Sequence, residues 1–338
     1  MARTECKLRF RPSSGTLAAL GLKAIKASAL PTTAYIMLGE KCVRDCSFCA
    51  QAASSSAGAG RLSRVTWPEA EERELLEGLK KATTEGSIRR VCIQTVGGRA
   101  ALEDVCLALA KLKPACSPKT AFSVSFSATA GIEDVGRLLE AGADRVALAI
   151  DACSPGLHRK IKKSELERSL DLIEKAAADY PGRISTHMIS GMGETDKDLL
   201  TLAVRLRRIG VGLGLFAFTP LKGTAMEKHP KPDLASYRRV QLAFWLVKHH
   251  GLDEGGMQFD EAGRLIGLTL PSGLPMEAMR RGEPFMTSGC SACNRPYYNE
   301  SPGTELYNYP VEPTAEEAVK ALGRAAEGLA IRAAEVDG

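Results

Sequence analysis

The sequence predicts an α/β protein built on a complete or partial TIM-type (β/α) barrel, and three observations lead there. Beyond about residue 88, short apolar runs alternate with helical patterns, the signature of parallel strands joined by crossover helices. Polar and glycine residues collect after one strand candidate after another, as they do where strand ends share one functional mouth. No G-x-G-x-x-G follows the first strand candidate, which leaves the open dinucleotide-binding arrangement without support.

Taken in order, Gly15 to Leu30 has helical character and is stopped by Pro31. Ala34–Leu38 is the first strand, and it runs straight into a cysteine-rich loop. Residues 50–60 are too poor in large apolar groups to form core and read as loop. Thr66-Trp67-Pro68-Glu69 has capping-box spacing with a proline tolerated in a first turn, which predicts a helix start. Leu75, Leu76 and Leu79 would be its buried face. Strands are expected at Ile88–Thr95, Ala121–Ser127, Arg145–Ile150, Arg183–Ile189 and Leu213–Phe218. Helices are expected at Leu102–Leu112, Ile132–Ala141, Ser164–Ala178, Thr195–Arg208 and Pro232–His249, with a weaker strand near Gly256–Phe259. The alanine- and glutamate-rich stretch Thr314–Val336 predicts a terminal helix. The resulting organisation is an N-terminal arm and helix (1–30), a barrel (31–270) and a C-terminal extension (271–338), with no dividing linker.

Composition narrows the function. Lys and Arg number 45 against 40 Asp and Glu, a net charge of +5, and no basic block with interleaved aromatics marks a nucleic-acid surface. No apolar run approaches the roughly 18 residues of a membrane span, and the N-terminus lacks a secretory core, so a cytoplasmic protein is expected. In that reducing compartment the ten cysteines are thiols or metal ligands rather than disulfides.

Cys42, Cys46 and Cys49 are spaced C-x3-C-x2-C, with Phe48 before the last and no fourth cysteine or histidine nearby. Three thiolates on a four-iron cube leave one iron open to a small molecule. A zinc knuckle is the bland alternative, and it lacks its fourth ligand. The spacing resembles the signature of the radical S-adenosylmethionine (SAM) superfamily, in which SAM chelates the open iron and the reduced cluster releases a 5′-deoxyadenosyl radical.

Other segments resemble the biotin-synthase-like branch of that superfamily in the same order. Gly191-Met192-Gly193-Glu194-Thr195 is similar to its glycine-rich SAM motif. Asp151 stands where that pattern has an acidic residue at the SAM ribose; an N-cap aspartate is the alternative. Thr219-Pro220-Leu221-Lys222-Gly223-Thr224 resembles its Pro-x-x-Gly-Thr loop. Gly97, Gly98 and Ser127, which follow the second and third strands, complete the expected mouth.

The departures from biotin synthase are informative. Its in-barrel second cluster uses cysteines from three strands; here only Cys92 matches, with Ser123 and Ser185 at the other two positions, and serine is a poor ligand where a soft thiolate is wanted. Cys92 alone reads as a buried small hydrophobe. Cys290 and Cys293 instead form a C-terminal C-x2-C, followed by Asn294-Arg295-Pro296-Tyr297-Tyr298-Asn299-Glu300. That run resembles the two-component lipoyl synthases, which carry a second, auxiliary four-iron cluster. Its further ligand is expected from Cys6 first, then Cys92, then Ser301 or Arg295. Cys106, Cys116 and Cys153 read as structural. Trp67 and Trp245 read as packing anchors, His249 and His250 as charges at a helix end, and His187 as core or substrate contact.

The resemblance implies a sulfurtransferase that inserts sulfur into a saturated octanoyl or mercapto-octanoyl chain carried on a lipoyl-carrier domain. Its implied partners are a sister protein for the other carbon and a reductase or ferredoxin electron donor. Biotin synthesis, another radical SAM reaction and a non-enzymatic iron–sulfur carrier are the alternatives.

Overall fold

The computed structural model of the chain describes residues 8–97, 101–127, 131–300 and 303–333. Cys6, Gly98 and Ser301 lie outside the described residues. The chain opens with β1 (Arg11–Pro12), α1 (Ser14–Ala19) and β2 (Thr33–Leu38), followed by a small hairpin, β3 (Arg61–Leu62) and β4 (Val65–Thr66). Then α2 (Glu72–Thr84), β5 (Arg90–Thr95), α3 (Ala101–Ala115), β6 (Ala121–Phe126), α4 (Ile132–Glu140) and β7 (Arg145–Leu148) alternate. After α5 (Pro155–Lys162) and α6 (Leu166–Asp179) come β8 (Ile184–Ser190), α7 (Asp196–Arg208), β9 (Gly212–Ala217) and α8 (Leu234–His250). The chain ends with β10 (Met257–Phe259), β11 (Leu265–Leu270), α9 (Met276–Arg280), α10 (Ala315–Ala326) and β12 (Ala330–Ala333).

One sheet runs β1-β2-β5-β6-β7-β8-β9, parallel throughout except for β1. Its outer face packs on the crossover helices through a continuous core that includes Ile36, Val91, Val124, Val146, Leu199 and Leu215. Each strand is largely buried, and β2 (TAYIML) and β9 (GLGLFA) are nearly continuous apolar runs, whereas β6 (AFSVSF) and β8 (ISTHMIS) mix apolar and polar residues. The sheet does not close: no pairing joins β9 back to β1 among the described strands. Residues 288–299 cross that gap instead. On the β9 side, Ser288 Oγ accepts from Leu215 N at 2.8 Å. On the β2 side, the Thr32 and Thr33 hydroxyls both donate to Ala292 O at 2.7 Å. The structure is therefore a partial barrel with an irregular stave.

Three predicted elements differ. The helix over 15–30 stops after Ala19, where Leu20 caps it and Gly21 turns left-handed (φ +74°). Thr66 does not start a helix: it lies in β4, Trp67 is buried with its indole N–H on Leu62 O at 3.1 Å, and α2 begins at Glu72. The terminal helix ends at Ala326; Gly328 (φ +67°) redirects the chain into β12, which pairs in parallel with β11. At the other flagged helix end, α8 carries Lys248, His249 and His250 in its last turn and closes on Gly251 in the left-handed region (φ +75°); burial pushes His249 down to about 4, so it does not supply the charge expected there. Among the described residues, no helix is long and apolar enough to cross a membrane.

Candidate functional site

The loop after β2 carries Cys42, Cys46 and Cys49 at the C-terminal ends of the strands. A turn brings the last two together, Cys49 N donating to Cys46 O at 3.0 Å. The loop is pinned on three sides. Val43 N reaches Gly97 O (3.0 Å), Ser47 N reaches Ile161 O (2.8 Å), and Ser56 N reaches Gly223 O (2.9 Å). Arg44 adds hydrogen bonds to Ser127 Oγ (3.0 Å) and Ser164 Oγ (2.9 Å). A Cβ on Gly97 would stand 3.2 Å from Cys42 Sγ, so the glycine keeps room at that thiol.

As a bare thiol, Cys49 is pushed up to about 12 by burial, with Cys46, Cys42 and Asp151 adding to the effect. Three neighbouring thiolates need positive charge among them, which iron supplies. Among the described residues no three His, Cys, Asp or Glu side chains converge tightly enough for a single metal ion. A four-iron cube differs, because each thiolate takes its own iron. The half-buried triad, its clearance and its lack of a fourth ligand fit such a cluster.

Around the triad, Phe48, Asp151, His187, Phe218 and Thr219 line a chamber of about 150 Å³ that also includes Cys49. Asp151 is 4% exposed and adopts a left-handed backbone (φ +61°). Its carboxylate pairs with Lys162 Nζ and, at 2.7 Å, with His187 Nε2. Burial alone would raise its pKa; Lys162 and His187 outweigh that and hold the carboxyl well below the usual carboxylate range. Asp151 is not a helix cap, since Ser154 occupies the N-cap of α5. Lys162 was not singled out in the sequence; an ammonium eleven positions after Asp151 carries no signal until α5 folds back.

Glu194 turns onto its own loop, accepting from Gly191 N at 2.5 Å and Met192 N at 3.0 Å. Gly191 has φ +99°, and a Cβ there would stand 2.7 Å from Pro232. Thr195 caps α7 through a reciprocal capping box with Asp198. Thr219 Oγ1 donates to Asn299 O at 3.2 Å, tying the loop after β9 to the C-terminal segment.

Cys290 and Cys293 stand at the opposite, N-terminal end of the strands. There they line a small interior cavity, about 50 Å³, together with Cys92, Ser123 and Ser185. Cys92 and Ser123 are register partners on adjacent strands. Burial pushes Cys92 up to about 11, with Cys290 and Cys293 adding to it and Arg295 and Arg90 opposing. Arg90 holds Ser123 Oγ (3.0 Å) and Ser291 O (3.0 Å). Ser185 Oγ is buried without a hydrogen-bond partner. Arg295 lies 4.6 Å from the Phe216 ring centre and 5.5 Å from that of Tyr35, and its buried Nε has no partner. His187, Phe216 and Arg295 line both this cavity and the triad's chamber.

The sequence profile of the radical SAM superfamily matches residues 36–206, which spans the triad, Asp151 and the Gly191–Thr195 loop. The chain belongs to the radical SAM superfamily. Membership makes it a radical SAM enzyme and implies a four-iron cluster and SAM as cofactors. Over 190 residues the chain is 28% identical to the biotin synthase of Persephonella marina, covering 55% of this chain and 54% of that enzyme. Over 191 residues it is 29% identical to the biotin synthase of Leptospira biflexa, covering 55% and 52%. It thus spans about half the length of the curated relatives it matches. Among solved structures, the hydrogenase maturase HydG of Carboxydothermus hydrogenoformans aligns with a TM-score of 0.51 at 14% identity, covering 64% of this chain and 51% of that one. That likeness speaks to the fold alone.

Proposed function

We propose that this radical SAM enzyme inserts sulfur into an unactivated C–H bond of a protein-bound octanoyl or mercapto-octanoyl chain, one half of lipoyl cofactor synthesis. The observation that carries the reading is the gathering of Cys92, Cys290 and Cys293 on one interior cavity, across shared walls from the chamber that Cys49 of the first triad lines. When bound, the first cluster with SAM supplies a deoxyadenosyl radical, and an auxiliary cluster supplies sulfide.

In this reading Cys42, Cys46 and Cys49 hold the first cluster, and Gly97 leaves space beside it. The Gly191–Gly193 backbone and Thr219 face SAM, with Asp151 fixed by Lys162 and His187 at the same mouth. Phe216 and Tyr35 give a saturated chain apolar walls, while buried Trp67 and half-buried Tyr298 keep water out of the β2 side. Cys290, Cys293 and Cys92 hold the auxiliary cluster, and Arg90 and Arg295 offset its negative charge. A sister protein would act on the other carbon, and a lipoyl-carrier domain would deliver the chain.

The similarity to biotin synthases favours a second reading, synthesis of biotin from dethiobiotin. Ser123 and Ser185 argue against it, since they replace thiolates in the same cavity. Anaerobically reconstituted protein is expected to hold about eight irons, falling by half in Cys290→Ala/Cys293→Ala. Turnover with octanoyl-lysyl and mercapto-octanoyl-lysyl peptides should add one sulfur to one of them by mass spectrometry. Sulfur gained by dethiobiotin and by neither peptide would transfer the assignment to the second reading.

A further inference from the structure

A second, larger cavity of about 690 Å³ lies outside the barrel, between β9, α8 and the segment before Cys290. Its lining includes Trp245, Lys248, His249, Glu283, Ser288 and Cys290. Gly289 and Cys290 line this outer cavity and the interior one alike, so a two-residue wall separates solvent at the barrel's base from the auxiliary site. The wall is held, not sealed. Lys248 Nζ donates to Gly289 O at 3.1 Å, and Ser288 is tied to Leu215 of β9. Gly289 has φ +144°, a backbone state open to glycine, and a Cβ on Gly214 would stand 3.7 Å from the Gly289 Cα. Glu283 is already paired with Arg281 at 2.6 Å and Glu312 is an exposed carboxylate of the lining, whereas Lys248 Nζ sits directly on Gly289, the residue before Cys290.

Sulfur insertion at the expense of a cluster removes sulfide from the interior site with each product, and that sulfur must be replaced. The mouth at the other end of the strands is committed to SAM and the acyl chain. We propose that the outer cavity is the port through which a small anionic sulfur species, of the hydrosulfide class, reaches Cys290, guided by the Lys248 ammonium. The inference rests on the auxiliary-cluster reading above.

The test uses the full-length, metal-free, reduced chain and two alkylating probes of like size, anionic iodoacetate and neutral iodoacetamide. Peptide mass spectrometry gives the rate at each cysteine. The iodoacetate-to-iodoacetamide rate ratio at Cys290 should exceed that at Cys106 by about fivefold, the scale of one nearby charge in water. Lys248→Met should bring the two ratios together. Pro275→Trp/Glu312→Trp, at exposed lining positions, should slow Cys290 about tenfold with both probes and leave Cys42, Cys46 and Cys49 unchanged. Lys248→Met carries the test if the tryptophans disturb the fold. Equal ratios at Cys290 and Cys106, or unslowed Cys290 in the filled variant, would overturn the port. Iron content separates the two ideas: about eight irons with unselective Cys290 removes the port alone, and about four removes the auxiliary cluster and, with it, the port's role in sulfur supply, even where Cys290 stays selective.

Discussion

Lys162→Met isolates what holds the mouth of the barrel together. The Asp151 carboxylate is 4% exposed, and its partners are the Lys162 ammonium and His187 Nε2 at 2.7 Å. Removing one partner of a buried ion pair leaves an uncompensated charge and costs about 3–5 kcal/mol. Here His187 still holds one oxygen, so the lower end applies, about 3 kcal/mol, or roughly a 150-fold loss in the folding constant. Asp151→Asn alone strands the ammonium with only Ala149 O, at 3.0 Å, and should cost a similar amount. Asparagine tolerates the left-handed backbone, so backbone strain adds little. The double variant removes both charges and should recover at least about 2 kcal/mol relative to the sum of the singles. Urea unfolding of the metal-free chain, followed by circular dichroism, measures all four corners. The pH dependence follows from the depressed Asp151 pKa: its contribution is present above the unfolded value near 4 and is lost as pH falls below it. The double variant should therefore show a flatter acid limb. Additive effects, or single losses under about 1 kcal/mol, would refute the paired-charge account.

Two further outcomes test the frame around the sites. Glu300 is 3% exposed and burial pushes it up to about 7, so its contribution is present below the unfolded value near 4.3 and is lost as pH rises through 7. Glu300→Gln should match the wild type at pH 4 and be about 3.5 kcal/mol more stable at pH 8, read as a rise in Tm. Gly223 has φ +88°, and a Cβ there would stand 2.6 Å from Ala57 N. Gly223→Ala should cost about 2 kcal/mol and lower iron uptake at the Cys42 loop, measured by the iron content of a Cys290→Ala/Cys293→Ala background.

Some of this was legible in the chain and some was not. The strands were readable because each is a short, largely buried run between helical patterns, and the cysteine loop because its spacing is local. The Thr66–Glu69 pattern misled because a buried indole outweighs a capping preference: Trp67 packs with Tyr35 and Met37 inside the barrel, and its segment follows it into a hairpin. Gly21 and Gly328 were present as stop signals, yet helical composition on either side masked them. The sequence offered Cys92 only after Cys6 as a companion to Cys290 and Cys293, and nothing local ranked one above the other. The convergence of Cys92 with that pair arises only when a segment near residue 290 crosses the gap left by seven strands.

That crossing ties architecture to chemistry. The segment that bridges β9 to β2 also carries Cys290, Cys293 and Arg295, so the second sulfur-rich cavity exists only when the barrel wall is complete. Its anchors reach both sides of the gap. Asn294 bonds Thr32 N and Leu30 O near the start of β2, each at 3.0 Å. Asn299 bonds the Ala217 carbonyl at the end of β9. Between these anchors Arg295 stacks on rings from β2 and β9 and lines both cavities. A saturated chain between the two cysteine groups would therefore lie against this segment. The position of one stave thus fixes the separation between the Cys42–Cys49 loop and the Cys290–Cys293 pair.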